Sequence, residues 1–308
     1  MSGTTITADA VKQLRERTGA GMMECKKALI ESGGDLDAAA ELMRKQGLAK
    51  ADKKAARIAA EGAIVSALRD DKRAATLVEI NSETDFVAKQ AEFRKLGTDA
   101  AAIALSKRPA SLEALLAEKI DTGSSLDEYR RGLVARIAEN ITVRRFAVLE
   151  AETVIGAYIH GTRIGALVAL KGGDETLARD LAMHVAAINP EYIRAEDVPT
   201  GIVSKEREIF AEQAKTEGKG KPEAIVAKMV EGKLRKRLAE ITLLGQPFVK
   251  DDKTTVEKLL RQANAQVTGF VRYEVGAGIE KKQADFASEV LATVRGSEKG
   301  KDETPVKH

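Results

Sequence analysis

A single cysteine, Cys25, is all that 308 residues offer for thiol chemistry. It excludes an internal disulfide framework and any cysteine-rich metal site, and it points to a reducing, cytoplasmic setting. Of the three histidines, His160, His184 and His308, none stands at metal-ligand spacing with another ligand, so no metal and no cofactor is expected. Tryptophan is absent and aromatics make up 4% of the chain. Ala and Leu must therefore fill most of the core, which favours helices. Neither sign of charge prevails: 50 Lys and Arg face 47 Asp and Glu, for a net +3. That balance argues against a protein whose main contact is a nucleic-acid backbone. No apolar run reaches the roughly 18 residues a membrane span needs, and the first residues lack a signal-peptide pattern. Also missing are G-x-S-x-G, G-x-x-x-x-G-K-[ST] and G-x-G-x-x-G. With so many carboxylates, paired acids discriminate nothing. The absences together favour a binding protein over an enzyme.

What is present builds an ordinary globular chain. Hydrophobic residues amount to 44%, and the length allows roughly two or three packing units. Residues 1–50 read as three short helices. Thr7 caps the first, which turns Val11 and Leu14 inward. Thr18-Gly19-Ala20-Gly21 breaks it. The second runs from about Met23 to Ile30, and Asp35 caps a third carrying Leu36, Ala39, Leu42 and Met43 at helical spacing. The stretch from Lys50 to Arg57 reads as a basic, solvated linker, without an aromatic to stack a base.

From Glu61 the texture turns to β. Ala63–Leu68 and Thr76–Ile80 flank a polar turn and predict a hairpin. A helix with Phe93, Leu96, Ala100 and Ile103 on one face follows, then further helix over 111–139 and a strand over Thr142–Leu149. The pattern recurs in Val154–Ile159, the turn at His160-Gly161-Thr162-Arg163, Ile164–Leu170, and a helix with Leu177, Leu181, Val185 and Ile188 in register. Hairpin-then-helix twice predicts an α+β fold with two related units. Between Pro199 and Leu243 the β texture vanishes, and two charged helices form an antiparallel hairpin. A strand over 269–275, a short helix near Phe286–Val290 and a polar tail complete the chain. The expected partition is 1–56, helical module and linker; 57–152, first core part; 153–201 with 244–282, second core part; 202–243, inserted hairpin; and 283–308, C-terminal helix and tail.

Two segments carry more than fold. In Leu14-Arg15-Glu16-Arg17-Thr18-Gly19-Ala20-Gly21-Met22-Met23-Glu24-Cys25-Lys26, two adjacent methionines follow a Gly-Ala-Gly turn. Flexible, polarizable methionine suits an adaptable binding surface, although core filling is the default for such a pair. In Asn81-Ser82-Glu83-Thr84-Asp85-Phe86-Val87-Ala88, a rare phenylalanine falls in a polar turn between strand and helix. The plain expectation is that Thr84 caps the helix and Phe86 folds back onto the core. The alternative is a protruding wedge beside an acid. His184, between Leu181 and Val185, reads as a satisfied, partly buried histidine.

Together these segments resemble the elongation factor Ts family, bacterial exchange factors for elongation factor Tu. The resemblance continues through Glu139-Asn140-Ile141 with Arg144-Arg145, Tyr158-Ile159-His160-Gly161-Thr162-Arg163, Met183-His184-Val185, Leu244-Gly245-Gln246-Pro247-Phe248 and Val267-Thr268-Gly269-Phe270. It implies a ubiquitin-associated-like N-terminal module, a two-part core, a helical hairpin and a C-terminal helix. It also implies guanine-nucleotide exchange on elongation factor Tu, without a chemical step and without direct nucleic-acid or membrane contact. Thr84, Asp85, Phe86 and Val87 match the loop that dislocates the partner's Mg²⁺. Arg15, Met22, Met23 and Lys26 match positions that grip the nucleotide domain, and His160 one that touches another domain. A homodimer and a 2:2 complex are both left open. The competing reading is a ubiquitin-associated-type adaptor, which accounts for residues 1–50 but not for Asp85 and Phe86.

Overall fold

The computed structural model describes residues 6–217, 219 and 222–280. The helix expected near Phe286–Val290 and the polar tail lie outside the described residues. The chain is a mixed α+β protein. Its first three helices are α1 (Ala8–Thr18), α2 (Met22–Glu31) and α3 (Leu36–Lys54). Thr7 Oγ1 accepts from Ala10 N at 3.1 Å, and the Asp35 carboxylate accepts from Asp37 N and Ala38 N. Each cap satisfies amides that the first helical turn leaves unpaired. Val11, Leu14, Cys25, Ala28, Leu29 and Ala39 close a small core between the helices.

The first part of the expected solvated linker, 50–54, is instead the end of α3, whereas 55–57 lie past the helix and are exposed. Gly47 lies inside that helix and lets it approach another, since a Cβ there would lie 3.2 Å from that of Ala135. Ala51 is buried in the main core, and Arg44–Glu128 (2.9 Å) and Asp52–Arg131 (2.6 Å) pair across the contact. Charged residues alternate with alanines here, so one face packs while the other stays wet.

The first core part comprises β1 (Glu61–Leu68), β2 (Ala74–Ser82), α4 (Asp85–Ala88), α5 (Ala91–Lys107), α6 (Leu112–Ala117), α7 (Leu126–Ile137) and β3 (Ile141–Glu150). The strands form an antiparallel sheet in the order β1-β2-β3, and β2 is buried from end to end. Phe93, Leu96 and Ala100 of α5 pack on it, with Val78 and Ile80. The helix expected over 111–139 is two helices. The chain turns at 118–125, and Ser125 starts α7 with a capping box to Glu128, a strong local start signal.

The second part repeats the plan with β4 (Val154–His160), β5 (Ile164–Lys171), α8 (Glu175–Ile188) and a late third strand. At Gly156 an added Cβ would sit 1.9 Å from Ala178 O of α8, so only glycine lets this helix lie so close. Leu181 and Val185 are buried, but Ile188 is exposed at the end of α8 and not in the core. Next come α9 (Thr200–Glu217) and α10 (Glu223–Ile241), held by Ala214, Val230 and Leu234 and by Arg207–Glu231, Lys233–Glu217 and Arg237–Glu206 ion pairs. A small sheet of β6 (Pro247–Phe248) and β7 (Asp251–Thr255), then α11 (Val256–Gln262), had no counterpart in the sequence reading. Strand β8 (Gln266–Glu274) then pairs with β5, giving the order β4-β5-β8. His184 is fully buried: Nε2–H donates to Gln246 at 2.9 Å and Nδ1 accepts from Val249 N at 3.2 Å. Both ring nitrogens are used, and burial pushes the imidazole below its ordinary pKa.

The two sheets join through Ile64, Ala75 and Leu77 on one side and Ile155, Leu167 and Ala169 on the other. Ile64 N bonds Thr162 O (2.8 Å), and Ile155 N bonds Lys72 O (2.7 Å).

Candidate functional site

The loop after β2 exposes a large aromatic that burial rules would hide. Phe86 is 75% exposed, whereas the adjoining Val87 and Ala88 are buried. The helix α4 that carries them is a single turn, so its orientation is fixed by what lies on either side. Thr84 occupies the position before it but makes no side-chain cap. Its hydroxyl donates to Glu139 Oε1 (2.8 Å) and its N–H to Glu139 Oε2 (3.0 Å). Glu83 accepts in turn from Asn140 N (2.6 Å), and buried Ser82 donates to Thr84 O (2.8 Å). Phe86 therefore does not fold back onto the core; the clamped backbone turns it outward. Asp85 pairs with Lys89 at 2.5 Å, and the Lys89 ammonium holds its carboxyl below the usual range. The same ammonium lies 5.6 Å from the Phe86 ring centre, within cation–π range.

Below the loop sits a buried carboxylate. Glu79 accepts from Arg144 (3.0 Å), Arg145 (2.6 Å), Gly276 N (2.8 Å) and Asn81 Nδ2 (3.2 Å). A register shift between Glu79 and Ile80 leaves Arg144 as the extra residue of β3. Such a bulge re-aims side chains, and here two successive arginines reach one acid. Burial pushes the Glu79 carboxyl up, but the Gly276 N–H and the two guanidiniums outweigh it and hold it below its ordinary value.

The other expected positions are all on the surface. Met22 is 59% and Met23 77% exposed, and with Lys26 they share one face of α2. They are not core filling: Cys25, Ala28 and Leu29 occupy the inward face. Arg15 is exposed in the last turn of α1. His160 is exposed at the end of β4, with Nδ1 3.2 Å from the Tyr158 hydroxyl. Its hairpin turn bonds to β1, whose first residue, Glu61, pairs with Ser82 and with Arg163 (2.7 Å). The His160 turn and the Phe86 loop thus lie at the same end of the joined sheets.

The sequence reading missed the pairings of Glu79, Glu83, Glu139 and Asn140. Glu139-Asn140 and Arg144-Arg145 stood in the matched segments, but nothing local in them says which residues they meet. Among the described residues no group of three or more His, Cys, Asp or Glu could hold a metal ion, and no helix is long and apolar enough to cross a membrane.

An exposed aromatic on a clamped turn, two exposed methionines and a tied-down hairpin tip are features of a docking surface. The comparisons with known proteins agree on a family. A family model for Elongation factor TS matches residues 83–277. The chain is 57% identical over 295 residues to Elongation factor Ts of Thioalkalivibrio sulfidiphilus, covering 95% of this chain and 100% of that protein. It is 56% identical over 294 residues to that of Methylococcus capsulatus, with the same coverage. Against the protein of that name from Legionella pneumophila strain Lens, identity is 52% over 292 residues, 95% of this chain and 99% of the other. The chain belongs to the elongation factor Ts family.

Proposed function

We propose that this chain is a guanine-nucleotide exchange factor that binds GDP-bound elongation factor Tu in the cytoplasm and promotes GDP release, with no chemical step of its own. The exposure of Phe86 on a loop clamped at Thr84 and anchored at Val87 carries this reading. Exchange requires that factor and nucleotide each weaken the other's binding by the same factor. A coupling of about 1.4 kcal/mol gives only tenfold, so several such increments must act together. Nucleotide affinity in a GTPase rests heavily on Mg²⁺ and the phosphate contacts. A rigid aromatic wedge pushed beside that end disturbs both, and the base end then lets go.

In this reading Phe86 enters an apolar gap on the nucleotide domain. Asp85 contacts the edge of the same region, and Thr84 and Val87 hold the turn. Arg15, Met22, Met23 and Lys26 grip the nucleotide domain, and His160 touches another domain of the partner. The division of labour follows the segments 1–56, 57–152, 153–201 with 244–282, and the hairpin 202–243. The partner surface needs neither nucleic acid nor membrane, and the reading allows a homodimer or a 2:2 complex, with the 202–243 hairpin free to meet a second copy, the partner or solvent.

The test is release of fluorescent GDP from elongation factor Tu at substoichiometric amounts of this chain. Acceleration with turnover supports exchange. A chain that binds but leaves release unchanged is an adaptor, and the proposal is then wrong.

A further inference from the structure

We propose that Glu139 and Asn140 are positioning residues that hold the Phe86 wedge in its outward pose and tie it to the helical module. This rests on the exchange reading above. Both oxygens of the Glu139 carboxylate serve one residue: Oε2 takes the Thr84 N–H and Oε1 its hydroxyl. Glu83, just before Thr84, takes the N–H of Asn140, just after Glu139. The dipeptides 83–84 and 139–140 thus bond reciprocally and fix each other's register. Asn140 is itself buried, and its Nδ2 donates to Ala55 O (3.3 Å) and Arg57 O (2.7 Å), immediately past the end of α3. The Arg57 guanidinium closes the circuit 3.5 Å from Glu83.

The chain enters this junction through Ala138, a non-glycine residue in the left-handed region at φ 68. L-residues avoid that region, and one stays there only where its surroundings over-determine it. Here the turn ends α7 and delivers Glu139 to Thr84. Phe86, mostly in solvent, has little packing of its own to set its direction. Its aim comes from the clamp on one side and buried Val87 and Ala88 on the other. A wedge that must first be ordered loses part of its interaction energy to that ordering. The clamp removes this loss. The Asn140 bond to the chain leaving α3 fixes the wedge relative to the helices that carry Met22 and Met23.

The experiment measures stimulated GDP release against concentration of the full chain for Glu139→Ala, Glu139→Gln, Thr84→Val and Asn140→Ala, with melting temperatures alongside. Glu139→Ala lowers the release rate at saturation on the order of tenfold, since two hydrogen bonds to a charged acceptor are lost. The half-saturating concentration moves far less. Glu139→Gln, which keeps one acceptor, restores part of the rate. Thr84→Val moves in the same direction as Glu139→Ala and carries the test if that variant does not fold. Asn140→Ala raises the half-saturating concentration instead, because it severs the module without opening the clamp. The clamp is overturned if Glu139→Ala and Thr84→Val release GDP at the unmodified rate, or if rate and melting temperature fall together without rescue by glutamine. The tie to the module is overturned if Asn140→Ala leaves half-saturation unchanged. Phe86→Ala is run in parallel. If it too is unimpaired, the wedge fails and the positioning roles with it; if the unmodified chain itself does not stimulate release, the exchange reading fails; if Phe86→Ala alone slows release, only the positioning roles fail.

Discussion

Replacing Phe86 with alanine should separate exchange from folding more cleanly than any other single change. The side chain is 75% exposed, so the free protein has little to lose. An aromatic side chain presents about 200 Å², of which roughly a quarter is packed here. At about 25 cal/mol per Å² that is on the order of 1 kcal/mol of folding stability, a shift of no more than about 3 °C for a domain of this size. The remaining surface, about 150 Å², is what a partner can bury. Allowing for the methyl that alanine keeps, its loss removes about 3 kcal/mol from the state in which the wedge is seated. If that state is the one that expels GDP, stimulated release at saturation falls roughly 100-fold or more. Stopped-flow release of fluorescent GDP measures the rate, and thermal melting of the free chain measures the fold. Unchanged release at saturating factor refutes the wedge. So does a melting temperature many degrees lower, because Phe86 would then be packing the core.

Met22→Ala with Met23→Ala should weaken association with elongation factor Tu by roughly 10- to 100-fold, a normal range for exposed apolar anchors at an interface, with little change in melting. Collapse of the helical module instead would return those methionines to a core role. His184 makes stability depend on pH with a defined sign. Its folded pKa is depressed by burial, so the unfolded chain binds its proton more readily. Its contribution is fully present above about pH 6.5 and is lost as pH falls below that value. Melting followed across that range should show an acid-side loss that His184→Gln reduces; an identical slope in both proteins would rule the histidine out as its source.

Much of the fold follows from local signals. Thr7, Asp35 and the hairpin turns act within a few residues of where they stand, and their physics is local too. The helix break at 118–125 was also local, in the cap at Ser125, but helix-forming residues on both sides masked it. The true extent of α3 was harder. Lys50 to Arg57 has the charge of a linker, and only α7 lying against its first part makes that part a packed helix. The site divides the same way. Phe86 in a polar turn was visible as an anomaly, but its direction depended on Glu139, which lies beyond α5, α6 and α7 in the chain. Hydrogen bonds between such distant residues leave no periodicity to read. Ile188 shows the reverse: its spacing fits the buried stripe of α8, but the helix ends there with nothing above it to cover the side chain.

The pairing of β5 with β8 also sets an order of events during synthesis. Strands β1, β2 and β3 are all made by Glu150, but β5 ends at Lys171 and its partner begins only at Gln266. Chains emerge from the N-terminus, and contacts far apart in sequence form late. The first sheet can therefore assemble while the helical hairpin is still being made, with Glu79 already facing Arg144 and Arg145. The Gly276 N–H that completes its hydrogen bonding arrives only after β8. Until then the strand leading to the Phe86 loop rests on an incompletely satisfied acid. The strand that leads to the Phe86 loop is thus fully hydrogen-bonded only after β8 has been made.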